Sequence, residues 1–187
     1  MRDLAVLTFI TLDGVMQMQA PEDTSSDFGW ATSYWPEVME QVEHEAMSQP
    51  FDLLFGRNTY DAFAGYWPNA PESVHKKKLN DATKYVATSR ANGLDWENSV
   101  QIKGDVPAEI VKLKESDGPL LQVHGSSQLL QTLLNHQLID EFRLWTFPVV
   151  VGAGKRLFDD GSVPTNVSLR KTASTSNGVV MSIYRRD

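Results

Sequence analysis

The 187 residues suffice for one domain with a real core, and 41% hydrophobic against 22% charged residues argues against disorder. The formal net charge of -7, with basic runs no longer than the three lysines at 76–78 and pairs such as 185–186, has the wrong sign for a nucleic-acid-binding surface. Cysteine is absent, which excludes disulfides, thiolate metal sites and a cysteine nucleophile, and no stretch approaches the roughly 20 apolar residues of a membrane-crossing helix.

Met1-Arg2-Asp3 leads into only a short apolar run without the cleavage site of a secretory leader, so a soluble, cytoplasmic protein with neither membrane nor nucleic-acid partners is expected. That run, residues 4–10, reads as a buried strand ending in the turn Asp13-Gly14. Residues 15–31 lack periodicity and read as a long loop, of the kind that often carries function. Ser33 then caps a helix to about Met47, with Pro36 in its first turn and Val38, Met39, Val42 and Ala46 on one side. A strand at 51–55 runs into a short helix at 59–66, a second helix at 74–82 and a strand at 84–88.

Pro107 opens a helix that reaches Glu115, and a strand follows at 120–123. The helix at 127–135 gathers Leu129, Leu130, Leu133 and Leu134 on one face, and a long strand covers 142–151. Strands at 167–174 and 179–184 flank Thr175-Ser176-Asn177-Gly178, a hairpin signal. Strands thus alternate with helices and end in a hairpin. The pattern predicts a single α/β domain over 1–187, with a mainly parallel central sheet, helices on both faces and a C-terminal antiparallel hairpin.

Ligands of open parallel sheets gather at the carboxyl ends of the strands, and three strand ends here suit a phosphorylated nucleotide. Phe55-Gly56-Arg57-Asn58-Thr59 joins a glycine that admits close approach, a helix start and a cationic fork; it reads equally as a glycine turn with a surface arginine. Ser89 and Arg90 end the next strand, where they hold a ribose phosphate or form a solvated turn. His124-Gly125-Ser126-Ser127 offers free helix amides to a pyrophosphate, or its serines merely cap the helix; His124 reads as a packing residue or a chemical one. Gly152-Ala153-Gly154 begins like a dinucleotide fingerprint, but Leu157 stands where its third glycine belongs.

In this order and spacing, Thr11-Leu12-Asp13-Gly14, Phe55-Gly56-Arg57-Asn58-Thr59-Tyr60 and His124-Gly125-Ser126 resemble dihydrofolate reductase-like proteins. Leu138-Ile139-Asp140-Glu141-Phe142, then Phe147-Pro148-Val149-Val150-Val151-Gly152-Ala153-Gly154-Lys155-Arg156-Leu157-Phe158, is similar to the reductase half of the bifunctional riboflavin-biosynthesis deaminase–reductase, and a stand-alone form of that half is expected. The resemblance runs from about residue 3 to 185 and implies that fold, NADPH as cofactor and a homodimer. It implies cofactor contacts at Gly56, Arg57 and Thr59, at Ser89 and Arg90 for the 2′-phosphate, at Gly125, Ser126 and Ser127 for the pyrophosphate, and at Gly152 and Gly154. The acidic residue that grips the pterin in dihydrofolate reductases has only Glu37 and Glu40 as counterparts to offer.

The expected activity is hydride transfer to a pterin-like or ribosylaminopyrimidine substrate, as in a 5-amino-6-(5-phosphoribosylamino)uracil reductase. Leu12, Gly14, Phe28, Trp30 and Trp67 would line its pocket, with Asp13 bonding the substrate or relaying a proton. Each aromatic reads as well as core or rim packing, and Asp13 as well as a turn residue. The alternative function is a non-catalytic nucleotide- or flavin-binding homodimeric module. Leu144, Trp145, Phe147 and Val149 give the long strand more apolar surface than an edge exposes, which points to the same homodimer.

Overall fold

The structure is a computed structural model and describes residues 1–18, 29–90, 92–159 and 162–187. Its strands are β1 (Leu4–Thr11), β2 (Phe51–Gly56), β3 (Lys84–Ala87), β4 (Ser99–Ile102), β5 (Leu120–Gly125), β6 (Glu141–Phe147), β7 (Val167–Ser174) and β8 (Val180–Arg186). All eight share one sheet in the order β4-β3-β2-β5-β1-β6-β8-β7. The first six in that order run parallel, and β8 lies antiparallel to both β6 and β7. The helices are α1 (Trp35–Ala46), α2 (Arg57–Tyr66), α3 (Val74–Asp81), α4 (Val106–Glu115) and α5 (Ser127–Asn135). This is the dihydrofolate reductase-like architecture that the sequence implied.

Alternation along the strands makes two cores. Leu7, Leu53, Phe55, Trp145 and Phe147 pack against α1, α2 and α3. Val6, Leu54, Leu121, Val123, Phe142 and Leu144 pack against α4 and α5. Strands buried on both faces read as continuous apolar runs, which is why β1 and β2 stand out in the sequence.

Four expectations need correction. The long strand ends at Phe147, not Val151: Phe147 is the last residue in register with β1, opposite Thr11, and Pro148 has no N–H with which to continue. The apolar surface assigned to that strand is consumed inside the chain, because β6 lies between β1 and β8; Leu144 is 7% exposed, and Trp145 and Phe147 are fully buried. Ser33 does not cap α1. It lies in a 3-10 turn, Gly29–Tyr34, and Tyr34 occupies the cap position without a side-chain bond. Finally, β4 went unrecognised. Its four residues carry one buried side chain, Ile102, and its parallel pairing to β3 has no local signal.

Candidate functional site

Parallel pairing brings the carboxyl ends of β1, β2, β3, β5 and β6 to one edge of the sheet. At the centre of that edge the starts of α2 and α5 meet. Gly56 is the cap residue of α2 and Ser126 that of α5, and neither makes a side-chain cap bond. The first amides of both helices, including those of Arg57, Thr59 and Ser127, therefore have no intrahelical partner. Gly56 packs directly under the side chain and amide of Ser126, with no room for a Cβ. Gly125, at φ +143°, lies under Thr59, and the Gly125–Ser126 peptide is cis.

Arg57 is held more firmly than a surface arginine. Its Nε donates to both carboxylate oxygens of Asp61 at 2.8 and 2.9 Å, and Nη1 donates to the Asn92 carbonyl at 2.8 Å. It thereby ties the α2 start to the segment that follows Arg90. Some of its charge already faces Asp61, and Nη2 packs against Gly93.

Ser89 and Arg90 are exposed, and Gln101 pins their turn by donating to the carbonyls of Thr88 at 2.9 Å and Arg90 at 3.1 Å. Between this turn and the end of β4 opens a cavity of about 600 Å³, lined by Thr88, Ser89, Gln101, Lys103 and Gly104 among others. Lys103 is a cation that sequence reading missed, because β4 was missed.

A second group of candidates surrounds the ends of β1 and β6. Asp13 accepts from Thr11 Oγ1 at 2.6 Å, from the Gly152 amide at 2.9 Å and from the Val151 amide at 3.3 Å, and Arg156 stands 3.6 Å away. These bonds, led by that from Thr11, lower its pKa to about 2. Such a carboxylate is ionised at neutral pH, able to accept a proton rather than donate one, and its bonds brace the 11–14 turn against the loop after β6. The same two segments are joined by Leu12 N to Val149 O at 2.9 Å and Met16 N to Lys155 O at 2.8 Å. Gly152 gives its amide to this brace, and Gly154, at φ +134°, packs against Val15.

Of the expected pocket residues, Leu12 is 65% exposed on the rim, and Gly14 turns with φ +79° beside Arg156. Trp30 donates to the Gln17 carbonyl at 3.0 Å and packs edge-on against Phe147 at 5.0 Å. Trp67 stands in a second row behind Phe63, at the far end of α2, and is not brought to the strand ends. Phe28 lies outside the described residues. Of the two acidic candidates on α1, Glu37 is bonded to the hairpin turn, which lies beside the carboxyl end of β6 because Val180 pairs with Thr146. Glu37 accepts from the amide and hydroxyl of Ser176 in the hairpin turn at 2.7 and 2.6 Å, and with Glu40 it lines a shallow groove against that hairpin.

His124 faces the α1–α2 side, 6.3 Å from the ring of Phe55 and 5.7 Å from that of Phe63, and burial pushes its pKa down to about 4. Among the described residues no group of acidic and histidine side chains could hold a metal, and no helix is long and apolar enough to cross a membrane.

The chain is 32% identical over 142 residues to the uncharacterized protein YyaP of Bacillus subtilis (strain 168), spanning 74% of this chain and 75% of YyaP. It is 26% identical over 180 residues to the uncharacterized YwjB of the same organism, 94% of each chain. Among solved structures it resembles a protein from Shewanella sp. PV-4 described by a role in riboflavin biosynthesis, with TM-score 0.67, 17% identity and coverage of 100% and 99%. It also resembles Enterococcus faecalis dihydrofolate reductase complexed with NADP(H) and RAB-propyl, with TM-score 0.64, 14% identity and coverage of 99% and 96%. A pyrimidine reductase-like protein from Corynebacterium diphtheriae aligns with TM-score 0.63, 12% identity and coverage of 100% and 92%. The RibD C-terminal domain family matches residues 2–181, and the chain belongs to that family.

Proposed function

We propose that the chain is an NADPH-dependent reductase acting on a small flat heterocycle of the pterin or ribosylaminopyrimidine class. The observation that carries this reading is the paired helix start. Two sets of free amides, from α2 and α5, converge over the glycines Gly56 and Gly125 at the middle of the carboxyl edge, which suits a pyrophosphate. The cavity beside Ser89 and Lys103, with Arg90 next to it, lies on the β3 side of that point, where the adenosine end with its 2′-phosphate fits. Membership of the RibD C-terminal domain family and the reductases among the fold relatives support the same reading.

When bound, NADPH supplies the hydride, and the protein supplies binding, orientation and exclusion of water. The α5 amides and Ser126 hold the phosphates; Arg57 and Thr59 steady the same region from α2. Asp13 orients the β1 turn through Gly152, and Phe9, Trp30, Trp35 and Phe147 keep that end apolar. The test is titration of the protein with NADPH, followed by loss of nicotinamide absorbance with a panel of pterins and ribosylaminopyrimidines. Binding without turnover across the panel moves the assignment to the non-catalytic nucleotide-binding module, and absence of NADPH binding removes the reading.

We also propose a homodimer in a soluble, cytoplasmic setting. Phe158, Val163, Val167 and Leu169 are exposed, and the first three line an apolar cavity of about 470 Å³ beside the edge strand β7. Light scattering near twice 20.9 kDa is expected, and a single-chain mass at micromolar concentration counts against it.

A further inference from the structure

β5 sends two polar side chains toward α1 and α2. Gln122 is fully buried and donates to the Ala46 carbonyl. His124, two residues nearer the carboxyl edge, is a partly exposed residue whose Nε2 is buried and has no hydrogen-bond partner among the described residues. Among the described residues two other buried side-chain atoms share that condition, Gln122 Oε1 and His75 Nε2. Gln122 already spends its amide inside the fold, and the other ring nitrogen of His75 stands 3.8 Å from Glu43. His124 alone of the three stands at the strand end, immediately before the glycine on which the proposed phosphate site is built.

An unmatched polar atom in such surroundings costs stability that a phenylalanine would not lose, so the imidazole calls for a partner from outside the chain. Its walls say what shape that partner has. Phe55 and Phe63 flank the ring on the α2 side. Farther along the same edge, Phe9 of the neighbouring strand β1 stands in edge contact with Trp35 at 5.2 Å and Phe147 at 5.9 Å. Flat aromatic surfaces beside a polar group suit a planar heterocycle whose edge carries hydrogen-bonding atoms.

We propose that His124 hydrogen-bonds the edge of the substrate's heterocycle, and that it selects rings offering an uncharged N–H or carbonyl there over rings offering a carboxylate. The inference rests on the reductase reading and deepens it. Enclosure keeps the imidazole neutral, with one N–H and one lone pair. A neutral ring complements a lactam or amidine edge and gives no charge to pair with an anion.

The experiment uses protein carrying ¹⁵N-histidine. The chain has four histidines, and the signals lost in His124→Phe are those of His124. Probes are 5,6-diaminouracil, 6-hydroxymethylpterin and dihydrofolate, with orotate as the carboxylate-bearing counterpart, each with and without NADPH. In the unmodified protein, at least one neutral-edged probe should move the His124 nitrogen signals while orotate leaves them in place. His124→Phe should weaken that probe tenfold or more at unchanged NADPH affinity, and His124→Gln should recover part of the loss. Silence of the His124 signals toward every probe overturns the proposal, whatever the folding of the variants, and so does equal probe affinity in His124→Phe. Failure of NADPH to bind while His124 still answers a probe overturns the reductase reading instead.

Discussion

A methyl group added to Gly125 would stand 2.7 Å from Thr59 Oγ1, so the end of β5 and the first turn of α2 pack with backbone closeness. Gly56 meets Ser126 in the same way from the opposite side. Two glycines therefore allow two helix starts to present their amides within one small region. Gly125→Ala is expected to lose about 1–3 kcal/mol of stability from overpacking, added to by the strain of its φ of +143°. It should also weaken NADPH and NADH together, since both carry the pyrophosphate. Gly65→Ala is the control: it lies inside α2 with open space around it, and should gain roughly 0.5–1 kcal/mol. Urea denaturation and cofactor titration read both. Equal stability of Gly125→Ala and the parent would contradict the packing described.

Lys84 gives a pH test of the fold that does not touch the site. It is fully buried at the start of β3, donating to the carbonyls of Asn80 and Glu97, with Nζ 4.4 Å from the Trp96 ring. Burial, opposed by Asp81 and Glu97, lowers its pKa from 10.5 to about 8. The native state thus releases this proton at lower pH than the unfolded chain does. Between those two values the unfolded chain holds more protons, so stability contributed by Lys84 rises with pH from about 8 to 10.5 and is lost as pH falls back. Lys84→Met keeps the stem and removes the titration. The stability difference between the two proteins should change across that window; a constant difference would show that Lys84 is not perturbed.

The parts of the fold legible in sequence are those whose signal is local. Strands β1 and β2 are largely apolar on both faces, β5 is apolar on the face it turns to α4 and α5, and α5 carries its leucines on one side. The strand ends with glycine could be named because a helix follows each at once. What escaped depends on distant partners. β4 exists because Ser99 to Ile102 lie in register with β3. Lys103 becomes part of a cavity only when that strand places it beside Ser89. The brace at Asp13 is not legible either, because an isolated Asp-Gly cannot reveal the amides of Val151 and Gly152, more than a hundred residues away.

That brace makes its own prediction. The pKa of Asp13 is lowered from 3.8 to about 2, so its contribution is complete above the unfolded value and disappears only as pH falls through the folded one. Exchange of the Gly152 amide, corrected for intrinsic rates, should be flat from about pH 4 to 7. In Asp13→Asn the second oxygen becomes an NH₂ that cannot accept, and exchange at Gly152 should quicken about tenfold or more. Turnover in this variant should fall without a new acid limb in its pH profile. Loss of the limb of a bell-shaped profile on removing Asp13 would instead make it the proton donor.

Cofactor choice tests the adenosine end. Arg90 is exposed beside the Ser89 turn, and Lys103 projects from the loop after β4 into the rim of the same cavity. The 2′-phosphate of NADPH gives both cations a partner that NADH lacks, and charge-assisted bonds contribute on the order of 1.5–3 kcal/mol before solvent losses. NADPH should bind roughly tenfold or more tightly than NADH, since about 1.4 kcal/mol is one decade. Arg90→Ala should remove most of that preference and Lys103→Ala a further part, each leaving NADH affinity nearly unchanged. Raising salt should erode the preference too, because both cations are exposed. Ser126→Ala should differ in kind: backbone amides hold the pyrophosphate, so both cofactors weaken together and modestly. Equal binding of NADPH and NADH by the unmodified chain would remove the 2′-phosphate site from Ser89, Arg90 and Lys103.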